Sequence, residues 1–368
     1  PQLEEGTTAS SFVANTTGSP KFTGISATFA PRVPMILVEP SSVNLVTYSE
    51  DFSQGNWNKN RVTVVDNSVT SPDGSLNASK LVESATTATH LTWTQATTTA
   101  APHSFSVFAK AGERKRIGLR DNQIGNSAVF DLESGAVISG SGGSIAQAAN
   151  GFFRITLTGT YAAAGTRHEI YVLPDNATTT NTSYTGDGTS GLYIWGAQLE
   201  AGSVSTSYIP TSGGDAAART RADDLLSITG SAFSDFFNGS EGTFYIEAVD
   251  RQATGSGHSY IIGQGLSQYF LYANENTTVA LSFDGANMLD IEGLTSNQLF
   301  RAAVSYKTGV SPAPSVKSLS FNGTSEVDQP YSGNFAATNI LKIGHGYTDV
   351  FSGHFRRILF WPTHSSRL

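Results

Sequence analysis

The chain contains no cysteine, which excludes disulfide bonds and thiolate metal sites, so its stability must come from burial. Charged residues are scarce as well, at 14% of 368 residues. The formal net charge of −8 argues against a nucleic-acid binder, because such a protein needs clustered Lys and Arg. The densest basic run, Arg114-Lys115-Arg116, is typical of a solvated strand edge or turn. No apolar run approaches the ~20 residues of a membrane span, so no membrane insertion is expected, and no signal peptide is visible.

What the chain has in abundance is glycine, with 37 copies, together with Ser, Thr and Asn. This composition favours short strands joined by many turns. Apolar and polar residues alternate in Ser104–Lys110 and in Leu299–Lys307, and turn residues such as Pro72-Asp73-Gly74 separate the segments. No stretch shows a long apolar period of 3.6 residues. The pattern predicts an all-β protein made of two tandem β-sandwich domains.

A repeated segment bears on how the chain is divided. Residues Pro1–Val13 and Ala197–Thr211 share Gln, Leu, Glu, Gly, Ser and an aromatic residue at matching offsets. The second copy follows a clear strand pattern and is typical of the exit from a module. By symmetry, the first copy is expected to end a module that lies upstream, within a longer modular polypeptide.

We therefore expect four regions, beginning with an extended N-terminal segment. Residues 1–40 are interpreted as the end of an upstream module plus a linker or hairpin. Residues 41–211 are expected to form a jelly roll, and residues 212–240 a linker with one short helical turn near Phe233. Residues 241–368 are expected to form the second sandwich.

Several segments resemble known modules. Asn44–Trp57, Ser71–Gly74 and Leu192–Glu200 resemble a jelly-roll module of phage and prophage virion proteins, which is itself similar to carbohydrate-binding modules. Phe233–Tyr245 together with Gly353–Pro362 resembles the concanavalin A-like (LamG-like) sandwich often placed after it. The resemblance implies a virion-surface location and contact with sugars or receptors.

The resemblance also raises the question of a structural calcium ion. Jelly-roll sugar modules often hold calcium through a Glu near the start and an Asp in the last strand. The matching positions here are Ser53, which follows Phe52, and Gly196 or Ala197, so both carboxylates are missing. We therefore expect no cofactor and no metal.

Catalytic chemistry finds weak support in the sequence. Glycoside hydrolysis needs two carboxylates facing one cleft, roughly 5–10 Å apart. The three acidic pairs weighed are Glu247 with Asp250, Asp131 with Glu133, and Asp223 with Asp224. The first should face opposite sides of its strand, the second lies beside a turn, and the third lies in a linker. The seven histidines lack the spacing of a local metal triad and are expected at the surface or on strand faces.

Aromatic residues are the better functional lead, because flat rings can stack on the apolar faces of sugars. Trp57 and Trp195 are expected in the core, and Trp361 is expected to pack at the end of the last strand. The carbohydrate-binding candidates are Trp93, His258, Tyr269, Tyr272 and Asn274. For each of them a packing role is weighed ahead of binding, since aromatic residues in sandwiches are mostly buried.

These observations favour a non-enzymatic virion protein, a tail fibre, spike or head fibre that binds host-surface glycans and neighbouring virion proteins. By analogy with other fibrous virion parts it would be a homo-oligomer, for example a trimer. Two alternatives stay open. One is a polysaccharide-degrading glycoside hydrolase or lyase on a β-sandwich, and the other is a purely structural decoration protein.

Overall fold

The computed structural model describes residues 35–211, 217–251, 259–264, 268–273, 278–282, 288–309, 315–331, 340–345 and 350–364. The strands are β1 Ile36–Val38, β2 Ser42–Asn44, β3 Asn58–Asn60, β4 Val62–Val69, β5 Ala78–Glu83, β6 Thr87–Ala88, β7 His90–Thr98, β8 Pro102–Lys110, β9 Arg116–Asp121, β10 Ser127–Asp131, β11 Ala136–Gly140, β12 Gly143–Gln147, β13 Phe153–Thr160, β14 Ala164–Leu173, β15 Tyr184–Thr185, β16 Gly191–Ala201, β17 Arg219–Arg221, β18 Leu226–Thr229, β19 Glu241–Asp250, β20 Ser259–Gln264, β21 Gln268–Ala273, β22 Thr278–Ser282, β23 Met288–Glu292, β24 Leu299–Lys307, β25 Ser315–Phe321, β26 Thr324–Tyr331, β27 Ile340–Ile343 and β28 Gly353–Trp361. One helical turn, α1 Ser231–Ser234, and a 3₁₀ turn at Ala149–Gly151 are the helical elements of the described chain. The prediction of an all-β protein is confirmed. No helix in the described ranges is long and apolar enough to span a membrane.

The first unit consists of two six-stranded sheets, in the orders β11-β10-β9-β14-β7-β3 and β12-β13-β8-β16-β5-β4. Its core lies between them, because alternate residues of each strand point inward. Phe105 and Val107 of β8 meet Ile117 and Leu119 of β9 there, and all four are fully buried. The alternation read from the sequence of β8 is therefore confirmed.

Asn44 connects two of the segments that resemble the jelly-roll module, Asn44–Trp57 and Leu192–Glu200. Strand β16 contains an irregularity between Trp195 and Gln198. The Asn44 side chain donates to the Ala197 carbonyl at 3.1 Å and accepts from the Leu199 N–H at 3.1 Å, which satisfies backbone groups that the irregularity leaves unpaired. One buried amide, at the first described residue of this unit, thus binds its last strand, β16.

The second unit also contains two six-stranded sheets, in the orders β1-β28-β19-β24-β25-β26 and β18-β27-β20-β21-β22-β23. Phe244 and Ile246 of β19 and Val304 and Tyr306 of β24 point into its core. The ring of Phe233, on the short helical turn expected from the sequence, stacks on other aromatic residues of this core. The chain is therefore built from two β-sandwich units.

The compact units do not follow chain order. The first contains Asn44–Ala201 and Pro210–Ala218, whereas Pro34–Val43 and Gly202–Ile209 group with Arg219–Leu368 in the second. Strand β1 pairs antiparallel with β28, the last strand of the chain. The linear division expected from the sequence, at 41, 212 and 241, therefore differs from the spatial one in these short segments. The first copy of the repeated segment and the rest of residues 1–34 lie outside the described residues.

Candidate functional site

Trp93 lies on the surface of the first unit that faces away from the core. It belongs to β7, between Asn58 of β3 and Glu169 of β14. The ring is half-buried and its base packs on a small outer apolar cluster that includes Leu91 and Tyr171. The Arg167 guanidinium carbon lies 4.8 Å from the ring centroid, a cation–π contact. We call the surface formed by Trp93, Arg167, Glu169 and Tyr171 the Trp93 face.

The polar part of this face follows from the alternation of β14. Residues 167, 169 and 171 share the outer side of the strand, because 168, 170 and 172 point into the core. Arg167 donates to Glu169 at 2.7 Å, and the Tyr171 hydroxyl donates to the other oxygen of Glu169, also at 2.7 Å. Arg120 lies 3.8 Å from the same carboxylate and donates to Asn181 at 3.0 Å. Glu169 is thus held by donors on three sides while it is almost fully buried.

Two groups around Glu169, Tyr171 and Arg120, have shifted pKa values. Burial, together with the hydrogen bond to Glu169, raises the pKa of Tyr171 to about 12, so the phenol remains a donor at neutral pH. Its hydrogen bond with Tyr171 raises the pKa of Arg120 above its usual range. The groups that hold Trp93 and Arg167 in place are therefore fixed before any ligand arrives.

This arrangement suits recognition of a polar ligand that has an apolar side. An aromatic ring, a guanidinium group that is 42% exposed, and the exposed amide of Asn58 lie side by side on paired strands. Rings of this kind stack on apolar surfaces while neighbouring donors select orientation. Glu169 shares its charge with two guanidinium groups, so the face presents more donors than acceptors.

The other carbohydrate-binding candidates belong to residues 258–274 of the second unit. Tyr269 and Tyr272 lie on β21 of the second unit, where the backbone is described and the side chains are outside the described residues. His258 and Asn274 also lie outside the described residues. Their proposed role stays a prediction.

The tryptophans divide differently from the sequence-based expectation. Trp57 and Trp195 are buried, as expected, but Trp361 is 46% exposed, so the expectation that it packs was wrong. The reason is a β-bulge in β28, where Glu247 pairs with Arg357 but Ala248 pairs with Phe355. Unbroken alternation would place Phe355 and Trp361 on the same face. The extra residue reverses the pattern, so that Phe360 turns inward and Trp361 turns outward.

The residues at the position where jelly-roll sugar modules often hold calcium do not fit a calcium ion. The carbonyl oxygens of Ser53 and Gln54 accept hydrogen bonds from the Lys59 ammonium at 2.6 and 2.7 Å. The neighbouring Asp51 carboxylate accepts hydrogen bonds from the Ser53 hydroxyl at 2.6 Å and the Gln54 amide at 2.7 Å. A side-chain cation thus binds the oxygen atoms that this turn offers.

The three acidic pairs weighed as catalytic groups serve local structure. The Asp131 carboxylate accepts from the backbone N–H groups of Glu133 and Ser134, and so forms a turn. Asp224 accepts from the Glu39 N–H, and Asp223 lies 2.8 Å from His345. The Glu247–Asp250 pair is divided, because Glu247 belongs to the outer face of β19 and Asp250 is a fully buried residue of the opposite parity.

The histidines of the first unit lie on strands, as expected, but within the structure and not at its surface. His90, His103 and His168 are all buried. His168 lies 3.9 Å from Asp121 and its ring packs against Phe105. In the described part of the chain, no three His, Asp or Glu residues form a group that could hold a metal ion.

Each cation of the basic run Arg114-Lys115-Arg116 has its own hydrogen-bond acceptor. Arg114 forms a bidentate pair with buried Glu83 at 2.5 and 2.7 Å, and Lys115 pairs with Glu133 at 2.7 Å. Arg116 donates to the Ala177 carbonyl at 2.5 Å. Because each cation has its own acceptor, this run does not form the phosphate-binding surface that a nucleic-acid partner would need.

Comparisons with known proteins gave no sequence relative, since no family model and no curated protein matched. Solved structures with some likeness include a Trypanosoma rangeli sialidase in complex with sialic acid, with 10% identity and a TM-score of 0.27, covering 78% of this chain and 64% of that one. Mouse laminin α1 domains LG4-5 are 10% identical with a TM-score of 0.25, and the match covers 90% of this chain and 92% of that one. The CBM22 tandem domain of Paenibacillus barcinonensis Xyn10C is 10% identical with a TM-score of 0.26, and the match covers 87% of this chain and 98% of that one. At these values the likenesses support no functional argument, and the fold class follows from the chain's own sheets: two β-sandwich units.

Proposed function

We propose that the chain is a non-enzymatic glycan-binding protein of a phage particle, a tail fibre, spike or head fibre component on the virion surface. Its partners would be host-surface glycans and other virion proteins, in a homo-oligomeric assembly. The observation that carries the binding function is the Trp93 face, where a half-buried tryptophan lies against the Arg167 guanidinium and opposite Asn58 of the neighbouring strand. The phage origin rests on the sequence resemblance of residues 44–57 and 192–200.

Binding without reaction is supported by the environment of Glu169. A glycosidase needs a carboxyl group that can deliver a proton and a second carboxylate at a defined distance. Glu169 accepts from Arg167 and Tyr171 and lies beside Arg120, so both of its oxygens are committed to donors. Such a carboxylate orients its neighbours and is poorly placed to donate a proton.

The test is an array of bacterial surface polysaccharides probed with the intact chain and with Trp93→Ala. We expect the bound glycans to be retained at least tenfold less well by Trp93→Ala, because the aromatic contact is lost. Val65→Ala is the matched control, since Val65 is an exposed apolar residue of the other sheet of the same unit. Circular dichroism should show that both variants keep the fold.

Two results would refute this function. Silence across all bacterial glycans would favour a purely structural decoration protein. Release of reducing or unsaturated ends, abolished by Glu169→Ala, would identify an enzyme.

A further inference from the structure

A second polar surface lies on the other β-sandwich unit, on the side of sheet β1-β28-β19-β24-β25-β26 that faces away from the core. Phe244, Ile246 and Ala248 point inward from β19, so Tyr245 and Glu247 point outward. Across the sheet, Glu247 lies opposite Arg357 of β28 and Arg301 of β24. Two strands, β24 and β28, therefore bring cations to one carboxylate on β19.

Glu247 is almost fully buried beneath these groups. The Tyr245 hydroxyl donates to one oxygen at 2.7 Å, and Arg301 lies 3.6 Å from the same atom. Arg356 lies 3.4 Å from the other oxygen. The hydrogen bond from Tyr245, aided by the charges of Arg356, Arg357 and Arg301, lowers the pKa of Glu247 below its usual range. Two arginines thus lie within 4 Å of the carboxylate, and Arg357 lies opposite it on the neighbouring strand.

The bulge in β28 is what brings two consecutive arginines to this place. In a regular strand Arg356 and Arg357 would point to opposite faces. Because Arg357 pairs with Glu247 while Phe355 pairs with Ala248, Arg356 is the extra residue. The Arg356 side chain lies 3.4 Å from the Glu247 carboxylate, and Arg357 is exposed on the outer face of the sheet. Bulges commonly redirect side chains at functional surfaces.

The four charged side chains do not balance. Among the described side chains of this face, Arg301, Arg356 and Arg357 lie near one carboxylate, Glu247, which leaves a surplus of two positive charges in a chain with a formal net charge of −8. The Arg301 side chain is 55% exposed. We call Arg301, Arg356 and Arg357 the arginine patch, and its surplus makes the patch complementary to an anion.

An exposed apolar strip continues from the arginine patch along the same strand. Leu359 and Trp361 follow Arg357 at alternate positions, and Leu359 lies opposite Tyr245. Trp361 and Leu359 are 46% and 40% exposed, while Phe360 between them packs inward. At about 3.3 Å per residue, the strip from Arg357 to Trp361 spans about 13 Å. This length accommodates more than one sugar ring.

We propose that this surface is a second binding site, specific for an acidic glycan whose sugars carry carboxylates. The carboxylate would pair with the exposed guanidinium groups, which match its planar geometry, and the apolar faces of the rings would lie on Leu359 and Trp361. Charge complementarity selects the anion, and the tryptophan selects a ligand with a ring face. The site lies on a different unit from the Trp93 face and does not depend on the function proposed for that face.

Isothermal titration of the full chain with oligogalacturonate at 150 mM NaCl tests the proposal, compared with the same oligomer after carboxyl reduction. We expect the acidic oligomer to bind and the reduced one to bind at least tenfold more weakly. Arg357→Ala and Trp361→Ala should each weaken binding about tenfold, and Arg357→Lys should restore only part of it.

Lys307→Ala is the matched charge control, because Lys307 is an exposed cation at the end of β24, the strand that carries Arg301. It should bind like the unaltered chain, and losses in Arg357→Ala and Trp361→Ala would assign the binding to this site on the second unit. The proposal is overturned by an absence of binding, by equal binding of the reduced oligomer, or by an equal loss in Lys307→Ala. Tighter binding of oligo(dT) or dextran sulfate would also overturn it, since the surface would then be a general polyanion site.

Discussion

Buried His168 should make the first unit sensitive to acid between about pH 6.5 and 5, above the ordinary pKa of carboxylates. His168 lies on the core side of β14, and neither ring nitrogen has a hydrogen-bond partner in the described residues. Burial lowers its pKa to about 4, although nearby Asp121 works in the opposite direction and His103 adds to the lowering. Tyr161 also packs beside the ring.

The sign of the effect follows from linkage. The folded state keeps His168 neutral down to about pH 4, whereas the unfolded chain binds a proton below its ordinary pKa of about 6.5. Stability is therefore complete above pH 6.5 and is lost as the pH falls from 6.5 toward 4. The full difference amounts to about 3 kcal/mol, of which about 2 kcal/mol is lost by pH 5.

Urea denaturation at pH 7.5, 6.0 and 5.0 measures this loss. Tryptophan fluorescence in a Trp361→Phe background reports the first unit, because Trp57, Trp93 and Trp195 all belong to it. His168→Gln should be less stable at pH 7.5 and should lose most of the dependence between pH 6.5 and 5. His345→Gln, in the second unit, is the control and should keep the pH dependence of the parent chain. A His168→Gln variant with the pH dependence of the parent would refute the reasoning.

Two further predictions concern stability. Arg114→Ala should lower the unfolding free energy by about 3 kcal/mol, because it leaves the buried charge of Glu83 unpaired, while Lys115→Ala, which removes an exposed pair, should change it by less than about 1 kcal/mol. Equal effects in urea titrations would contradict the burial argument. Gly191→Ala should destabilise the first unit by more than about 2 kcal/mol, because a Cβ would collide with a backbone carbonyl of β5, whereas Gly55→Ala meets nothing within 4 Å and should be neutral. Similar melting temperatures for the two glycine variants would show that the sheets yield more easily than their packing suggests.

The fold was predictable from sequence because strand alternation is a local signal. Strand β24 begins and ends at the residues expected from its pattern, and the alternation of β8 was read correctly. The pairing of β1 with β28 was not predictable, since a strand of three residues carries almost no pattern and its partner lies at the other end of the chain.

The candidate sites were predictable only in part. Trp93 was singled out because it lies in a polar strand, but Arg167, Glu169 and Tyr171 were not, although their i, i+2, i+4 spacing was visible. Alternation shows which residues share a face and not which neighbouring strand faces them. Trp361 was misplaced because a bulge has no reliable local signature, and one extra residue reverses every side chain beyond it.

The Trp93 face and the arginine patch share one local arrangement of side chains. In each, a tyrosine hydroxyl donates at 2.7 Å to a glutamate two residues away, and arginines surround that glutamate. The carboxylate organises the cations, and an adjacent tryptophan supplies the flat surface. Each unit thereby presents preorganised donors on a rigid sheet.

The central claim is that these faces hold glycans without altering them. Mass spectrometry of a bound bacterial polysaccharide fragment, recovered after prolonged incubation with excess protein, tests it most directly. The account predicts full recovery at unchanged mass, with capture lost in Trp93→Ala. Shortened fragments that appear with the intact chain and not with Glu169→Ala would contradict it.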